Sequence, residues 1–408
     1  MTDKTMPALR FRGFYDAWEQ RKLGELTNSF EYGLNASAKK FDGIHKYIRI
    51  TDIDDSSRKF NSDSITSPDI NFSSADNYEL KQNDLLFART GASVGKSYIY
   101  TESDGLVYYA GFLIRVRIKP EFDSNFVFQN TFTSSYENFI RITSQRSGQP
   151  GVNSKEYASF EISIPSLEEQ QMIGSLFKQL DNLTAQNEHK LNLLKQLKQA
   201  YLQKIFSQEL RFAGFSGTWE QRKLGKIGNT FNGLTGKTKE DFGHGDAKFV
   251  TYLNVFQNEL ATLKQLDSVE IDERQNQVQK GDVFFTTSSE IPEEVGMSSV
   301  WTYDIKNIYL NSFTFGYRPT VELDLEYLAT MLRSPSVRKK ITFLAQGISR
   351  YNISKSKMMK IEVPIPNIFE QENIGSLFKQ LDNLITLNQQ KVNLLKKQKQ
   401  AYLQKMFN

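Results

Sequence analysis

The sequence predicts an α+β fold made twice: two tandem α+β domains separated by long helices that pair as an antiparallel coiled coil, with pseudo-twofold symmetry. Three observations predict it. The chain repeats itself, Trp18 returning as Trp219 at a shift of 201 positions. Each repeat carries short β-type runs with helical stretches between them. Each repeat then closes on a helix with an apolar stripe. The duplication is explicit at Leu9-Arg10-Phe11-Arg12-Gly13-Phe14 and Trp18-Glu19-Gln20-Arg21-Lys22-Leu23-Gly24. These segments return as Leu210-Arg211-Phe212-Ala213-Gly214-Phe215 and Trp219-Glu220-Gln221-Arg222-Lys223-Leu224-Gly225. Gly174 to Leu183 recurs as Gly375 to Leu384, and Gln199 to Lys204 as Gln400 to Lys405. A duplication this regular builds a molecule that grips two sites or two copies of something.

In the first repeat the β-type runs are Tyr47–Ile50, Asp84–Phe87, Phe112–Val116 and Phe160–Ile164, with a helical stretch over Asn125–Ile142. In the second they are Phe249–Leu253, Asp282–Phe285 and Ile361–Ile365, with a helical stretch over Leu325–Leu344. After Pro165 and Pro366 only Gly174 and Gly375 interrupt a helical pattern, in which apolar and semi-apolar residues alternate spacings of four and three. The first seam reads Leu176, Leu180, Leu183, Asn187, Lys190, Leu194, Leu197, Tyr201. The second reads Leu377, Leu381, Leu384, Asn388, Lys391, Leu395, Gln398, Tyr402. This is the heptad form of a coiled coil, with Asn187 and Asn388 at matching positions where a polar residue fixes register. Faces left over, such as Phe177, Leu191 and Leu193, are expected to receive partners. A helix from Leu176 to Phe206 spans roughly 46 Å at about 1.5 Å per residue, a rod that separates the globular segments. The expected boundaries are 1–165 for the first domain, 166–208 for a central spacer helix, 209–365 for the second domain and 366–408 for a C-terminal spacer helix.

Composition excludes several classes. With 408 residues the chain is long enough for two or three domains. No cysteine is present, which removes disulfides and thiolate metal sites, and His45, His189 and His244 are scattered, so no metal site is expected. No apolar run reaches a membrane span and Met1 to Leu9 lacks a signal-peptide core, so a cytoplasmic location is expected. A net charge of +4 permits a polyanionic partner without requiring one.

No catalytic motif emerges. Gly91-Ala92-Ser93-Val94-Gly95-Lys96-Ser97 imitates a phosphate-binding loop, but it has three residues between its glycines where that loop needs four, and Thr286 to Glu290 in the second repeat lacks both glycines and lysine. Phe242-Gly243-His244-Gly245 reads as a loop rather than a dinucleotide fingerprint. What stands out are polar, glycine-rich loops. Arg89 to Ser93 and Gln145 to Asn153 lie in the first repeat, Thr287 to Glu290 and Gln346 to Asn352 in the second. Arg, Gln, Asn and Ser are the side chains that hydrogen-bond base edges and phosphates. The DNA-binding candidates are therefore Arg89, Thr90, Ser93, Lys96, Arg146, Gln149 and Asn153, and Thr287, Ser289, Glu290, Arg350, Tyr351 and Asn352. The same composition also serves an ordinary polar loop.

These features together resemble the DNA-specificity subunits of Type I restriction-modification systems, over almost the whole chain. The Trp-Glu-Gln-Arg-Lys-Leu-Gly segments at Trp18 and Trp219 look like the opening of that family's target-recognition domains, and Asp84 to Gly91 like its internal strand and loop. Ile164-Pro165-Ser166-Leu167-Glu168-Glu169-Gln170 and Ile365-Pro366-Asn367-Ile368-Phe369-Glu370-Gln371 resemble its passage into the spacer helix, with Phe369 standing where the first copy has Glu168. The resemblance implies a non-catalytic subunit that binds double-stranded DNA at a bipartite target, one half-site per domain. It implies two modification (methyltransferase) subunits and two restriction (endonuclease/translocase) subunits as partners. This chain would hold no cofactor; S-adenosylmethionine, Mg and ATP would sit on those partners. Arg89, Arg146 and Gln149 would serve one half-site, and Ser289, Arg350 and Asn352 the other. A coiled-coil adaptor that binds proteins without reading DNA, and a self-contained enzyme, are the rival readings.

Overall fold

The computed structural model describes residues 6–61 and 64–407. The first repeat runs β1 (Glu19–Lys22), β2 (Thr27–Tyr32), β3 (Ala38–Lys40), β4 (Lys46–Ile48), β5 (Thr66–Pro68), β6 (Leu85–Ala88), β7 (Ser97–Ile99), β8 (Val107–Tyr109), β9 (Leu113–Ile118), α1 (Ser124–Asn130), α2 (Ser134–Thr143), α3 (Ser154–Ala158), β10 (Glu161–Ile164) and α4 (Leu167–Phe206). The second runs β11 (Glu220–Lys223), β12 (Gly228–Asn232), β13 (Phe242–Val250), α5 (Tyr252–Gln257), β14 (Leu266–Val269), β15 (Val283–Thr286), β16 (Ser288–Ser289), β17 (Ser298–Val300), β18 (Ile308–Leu310), β19 (Thr314–Pro319), α6 (Leu325–Arg333), α7 (Pro335–Leu344), β20 (Tyr351–Asn352), α8 (Lys355–Met358), β21 (Glu362–Ile365) and α9 (Ile368–Phe407).

Each repeat is centred on an antiparallel four-stranded sheet, β2-β9-β6-β7 in the first and β12-β19-β15-β17 in the second. The central strand is apolar on both faces, and its period of two explains why. Leu85 and Phe87 enter one core with α1 and the closing helix, while Leu86 and Ala88 enter another against the second sheet, β3-β5-β4-β8. Val283 and Phe285 against Phe284 repeat the division in β15. The acid that opens the strand motif is an ion-pair anchor: Asp84 accepts from Arg117 at 3.0 Å and Asp282 from Arg318 at 2.7 Å. The repeated Glu-Gln-Arg-Lys forms β1 and β11, which pair antiparallel with β10 and β21.

The expected helical stretches each break into two, because Thr133 and Ser334 start a second helix within them; the Thr133 side chain caps α2, and Pro335 opens α7. Two local readings are corrected. Tyr252 and Leu253 belong to α5, capped by Thr251, rather than to a strand. Phe242 to Gly245 is not a loop but the start of β13, whose register against β14 shifts between Phe242 and Ala247.

The chain forms two compact units that divide each long helix midway: one holds the chain up to Glu188 together with Gln390 onwards, the other His189–Gln389. The 40-residue helices are therefore not free-standing spacers. Within the first unit Phe177 meets Phe407 and Asp181 accepts from Lys399; within the second Phe206 meets Phe378 and Lys198 reaches Asp382. Rising numbers on one helix face falling numbers on the other, an antiparallel pairing. The paired halves complete each unit's core, Leu395, Leu403 and Met406 joining Trp18 and Phe126, and Leu202, Ile205 and Phe206 joining Trp219 and Tyr327.

The buried stripe differs from the expected seam. Leu180, Asn187, Leu381, Asn388 and Leu395 are buried as expected, but Leu183, Leu197 and Leu384 are exposed. The stripe passes instead through Ile173, Phe177 and Leu191, and through Ile374, Phe378 and Val392. Phe177 is thus consumed in the core of the first unit and Leu191 is buried, and of the three residues expected to receive partners only Leu193 stays exposed. Lys198 and Lys399 also lie on the inner stripe, burying their stems while their ammonium groups meet carboxylates. Gly174 has a packing reason: an added Cβ would lie 2.3 Å from the Asp123 carboxylate that caps α1, and Gly375 faces Asp324 at the same distance. Among the described residues no helix is long and apolar enough to cross a membrane.

Candidate nucleic-acid interface

The two polar loops singled out in each repeat come together. As the chain leaves β6, Thr90 bridges Gly151, the Val152 amide donates to the Arg89 carbonyl at 2.9 Å, and the Gly91 amide to Pro150 at 3.0 Å. In the second unit the same junction is a small sheet, β16 pairing β20 with Ser288 opposite Asn352 and Ser289 opposite Tyr351. There the Ile353 amide donates to the Thr287 carbonyl at 3.0 Å. Two segments far apart in the sequence thus form one surface in each domain.

Buried tyrosine fixes the first loop. The Tyr157 hydroxyl donates to the Ala88 carbonyl at 2.7 Å and accepts from the Gly95 amide at 3.2 Å. Burial raises its pKa well above the usual tyrosine range, so it stays a neutral donor. The amides of Gly91, Val94, Gly95 and Lys96 all donate to protein acceptors, which leaves none of the four for a phosphate. Gly91 itself, at φ +71°, faces Gln149; an added Cβ would sit 2.8 Å from the Gln149 amide nitrogen.

The candidate side chains divide by what already holds them. Asn153 is the N-cap of α3, accepting from the Glu156 amide at 3.0 Å in a capping box. Lys96 pairs with Asp55. Ser93 lies in the turn after Gly91, its carbonyl accepting from the Lys96 amide. Arg146 donates to the carbonyls of Thr143 and Gln145 and pairs with Glu156 at 2.5 Å, so much of its fork is spent within the loop. Ser289 donates to Glu294 at 3.1 Å, and Thr287 to the Phe313 carbonyl at 3.1 Å. Among the described residues the Thr90 hydroxyl donates only to the Pro150 carbonyl, at 3.5 Å. Gln149, Glu290, Arg350 and Asn352 are exposed, and Tyr351 is half-buried; Arg350 touches Ser288 at 3.2 Å.

Arg89 stands apart. Its Nε donates to the Gly111 carbonyl at 2.9 Å, and its guanidinium lies 5.2 Å from the Tyr32 ring centre and 5.6 Å from that of Phe112. It lines a cleft of about 730 Å³ with Tyr32, Tyr47, Arg49 and Phe112. Arg49 is held there by Asp52, whose carboxylate accepts from it twice at 2.8 Å and raises its pKa. Sequence reasoning missed Tyr32, Arg49, Phe112 and Phe313. The β-type run expected from Phe112 makes that residue part of a strand, yet it precedes β9 and is 55% exposed; its repeat Phe313 is 72% exposed. An aromatic returning at the full repeat shift immediately before a strand was the available signal.

A pair of α+β domains, each presenting such a loop surface and closing on a long helix, defines a duplicated recognition module. The Type I restriction modification DNA specificity domain matches the chain twice, over residues 15–196 and 216–397, and the protein belongs to that family as a Type I restriction-modification specificity subunit. It is similar to the Type I restriction enzyme MjaVIII specificity subunit of Methanocaldococcus jannaschii, at 21% identity over 79% of this chain and 78% of the relative. It is also similar to the putative type I restriction enzyme MjaX specificity subunit of the same organism, at 23% identity over 95% and 92%. Its fold matches the crystal structure of the Type-I restriction-modification system S subunit from M. genitalium, with a TM-score of 0.66 at 15% identity over 99% of both chains. A chain from a structural study of complex assembly and conformational transition of the type I R-M system matches at a TM-score of 0.52 and 17% identity, over 98% of this chain and 99% of that one.

Proposed function

We propose that this subunit reads a bipartite duplex, one half-site per domain, through the joined loops of each domain, and contributes no catalytic group. The observation that carries the reading is the convergence of both nominated loops at the same junction in both domains, on like scaffolds but with unlike side chains. Similar frames with different polar tips are what two unlike half-sites require. Two modification subunits and, in the full complex, two restriction subunits would assemble on it, bringing S-adenosylmethionine, Mg and ATP. Exposed Leu183, Leu193, Leu197, Leu384, Leu387 and Leu394 on the helices offer the apolar surface such partners need.

The test is selection from a randomised duplex library by the chain assembled with its modification subunits. The expected product is a two-part motif with an indifferent gap, and methyl transfer that the isolated chain lacks. A complex that retains all duplexes equally supports the adaptor reading instead, and robust methyl transfer by the purified chain alone shows an enzyme.

A further inference from the structure

The structure, unlike the sequence, shows which loop positions correspond. A shift of 201 sets Glu290 opposite Arg89, but strand register decides otherwise: Ala88 lies opposite Leu113 and Thr286 opposite Thr314, and Leu113 and Thr314 are the repeat-equivalent pair. The next residue is Arg89 in one domain and Thr287 in the other. Their carbonyls accept equivalent bonds, from Val152 and Ile353.

The surroundings of this shared position differ. In the first domain the guanidinium lies beside the Tyr32 and Phe112 rings and is pinned through Nε to Gly111; among the described residues neither Nη1 nor Nη2 donates a hydrogen bond. That arrangement leaves the two-pronged edge that matches guanine O6 and N7, already oriented before DNA arrives. In the second domain Asn232 occupies the place of Tyr32, since Ile114 and Phe315 are the equivalent residues opposite them, and it is engaged by Lys355. Thr287 turns its hydroxyl to the Phe313 carbonyl. A threonine offers no fork.

Resting on the proposed reading of these loops, we infer that Arg89 is a guanine-reading residue of the first half-site, with Tyr32 and Phe112 as positioning residues, and that Thr287 leaves the corresponding position of the second half-site without that guanine requirement. Library selection with the assembled complex tests it directly. Wild type selects a guanine in the first half-site, and replacing that base by 7-deazaguanine, which lacks the N7 acceptor, weakens binding. Arg89→Gln removes the preference at that one position, a loss of about 5- to 150-fold in discrimination for one bidentate pair, and becomes insensitive to 7-deazaguanine. Phe112→Leu relaxes the same position only, with the thermal midpoint unchanged.

A phosphate contact behaves differently: Arg89→Gln would weaken every sequence alike and Arg89→Lys would restore them, which overturns the inference. So does a wild-type bipartite motif that Arg89→Gln leaves unaltered. A wild-type complex that selects no sequence overturns the reading of the loops itself, and the inference with it.

Discussion

Glu370 shows how much structure one repeated side chain organises. It is almost wholly buried, accepts from Arg211 through both oxygens at 2.9 and 2.7 Å, and accepts from the Trp219 indole at 3.0 Å. Arg10 and Glu169 make the same paired contact in the first domain, at 2.9 and 2.6 Å. The duplicated Leu-Arg-Phe segments are therefore clamps that tie the chain before each domain to the helix after it. Glu370→Ala leaves the Trp219 indole without an acceptor and takes the carboxylate from Arg211, which keeps the Gly217 carbonyl, and should destabilise by about 1–3 kcal/mol, measured by denaturant titration. Asn153 tests a separate point. As the cap of α3 it should cost about 1 kcal/mol when replaced by alanine, with the selected DNA motif unchanged; a changed motif would return Asn153 to the reading surface. The polar loops were legible as candidates because Arg, Gln and Asn beside glycine are conspicuous. Their internal partners were not, since whether Asn153 caps a helix or faces solvent depends on where α3 begins.

At the level of elements, the central strands and closing helices were legible because their apolar runs are long and repeated. The seam was legible only in part: it counted Lys190 and Lys391 among its members, which are exposed, whereas the lysines on the inner stripe are Lys198 and Lys399, whose stems are buried while their ammonium groups meet carboxylates. The division of each helix between units gives a clean place to lengthen it. One heptad inserted after Glu188 and one after Gln389, the unit boundaries, keeps the contacts inside both units. Each helix grows by roughly 10 Å, and at about 3.4 Å per base pair the gap between half-sites should widen by up to about 3 base pairs. Two residues inserted at each place rotate the remainder of each helix by about 200° and should abolish binding. Sequencing of methylated sites in cells carrying each variant reads both outcomes, and an unchanged gap in the heptad variant shows that the helices do not set it.

On the scale of the whole chain, the duplication bears on connectivity as well as on recognition. In the second unit the Leu210 amide donates to the Lys204 carbonyl at 3.0 Å, across the short covalent link after α4. In the first unit the Leu9 amide donates to the Lys405 carbonyl, also at 3.0 Å, where no such link joins the residues. One fold thus accepts the same joint as a continuous chain or as two abutting segments. The order of the repeats along the polypeptide should then be exchangeable without altering either unit. A circular permutant opened between Ser207 and Glu209, with a linker of similar length joining Phe407 to the segment before Leu9, should fold with the melting midpoint of the parent and select the same DNA motif. A permutant that fails to fold would show that the link after α4 does more than connect.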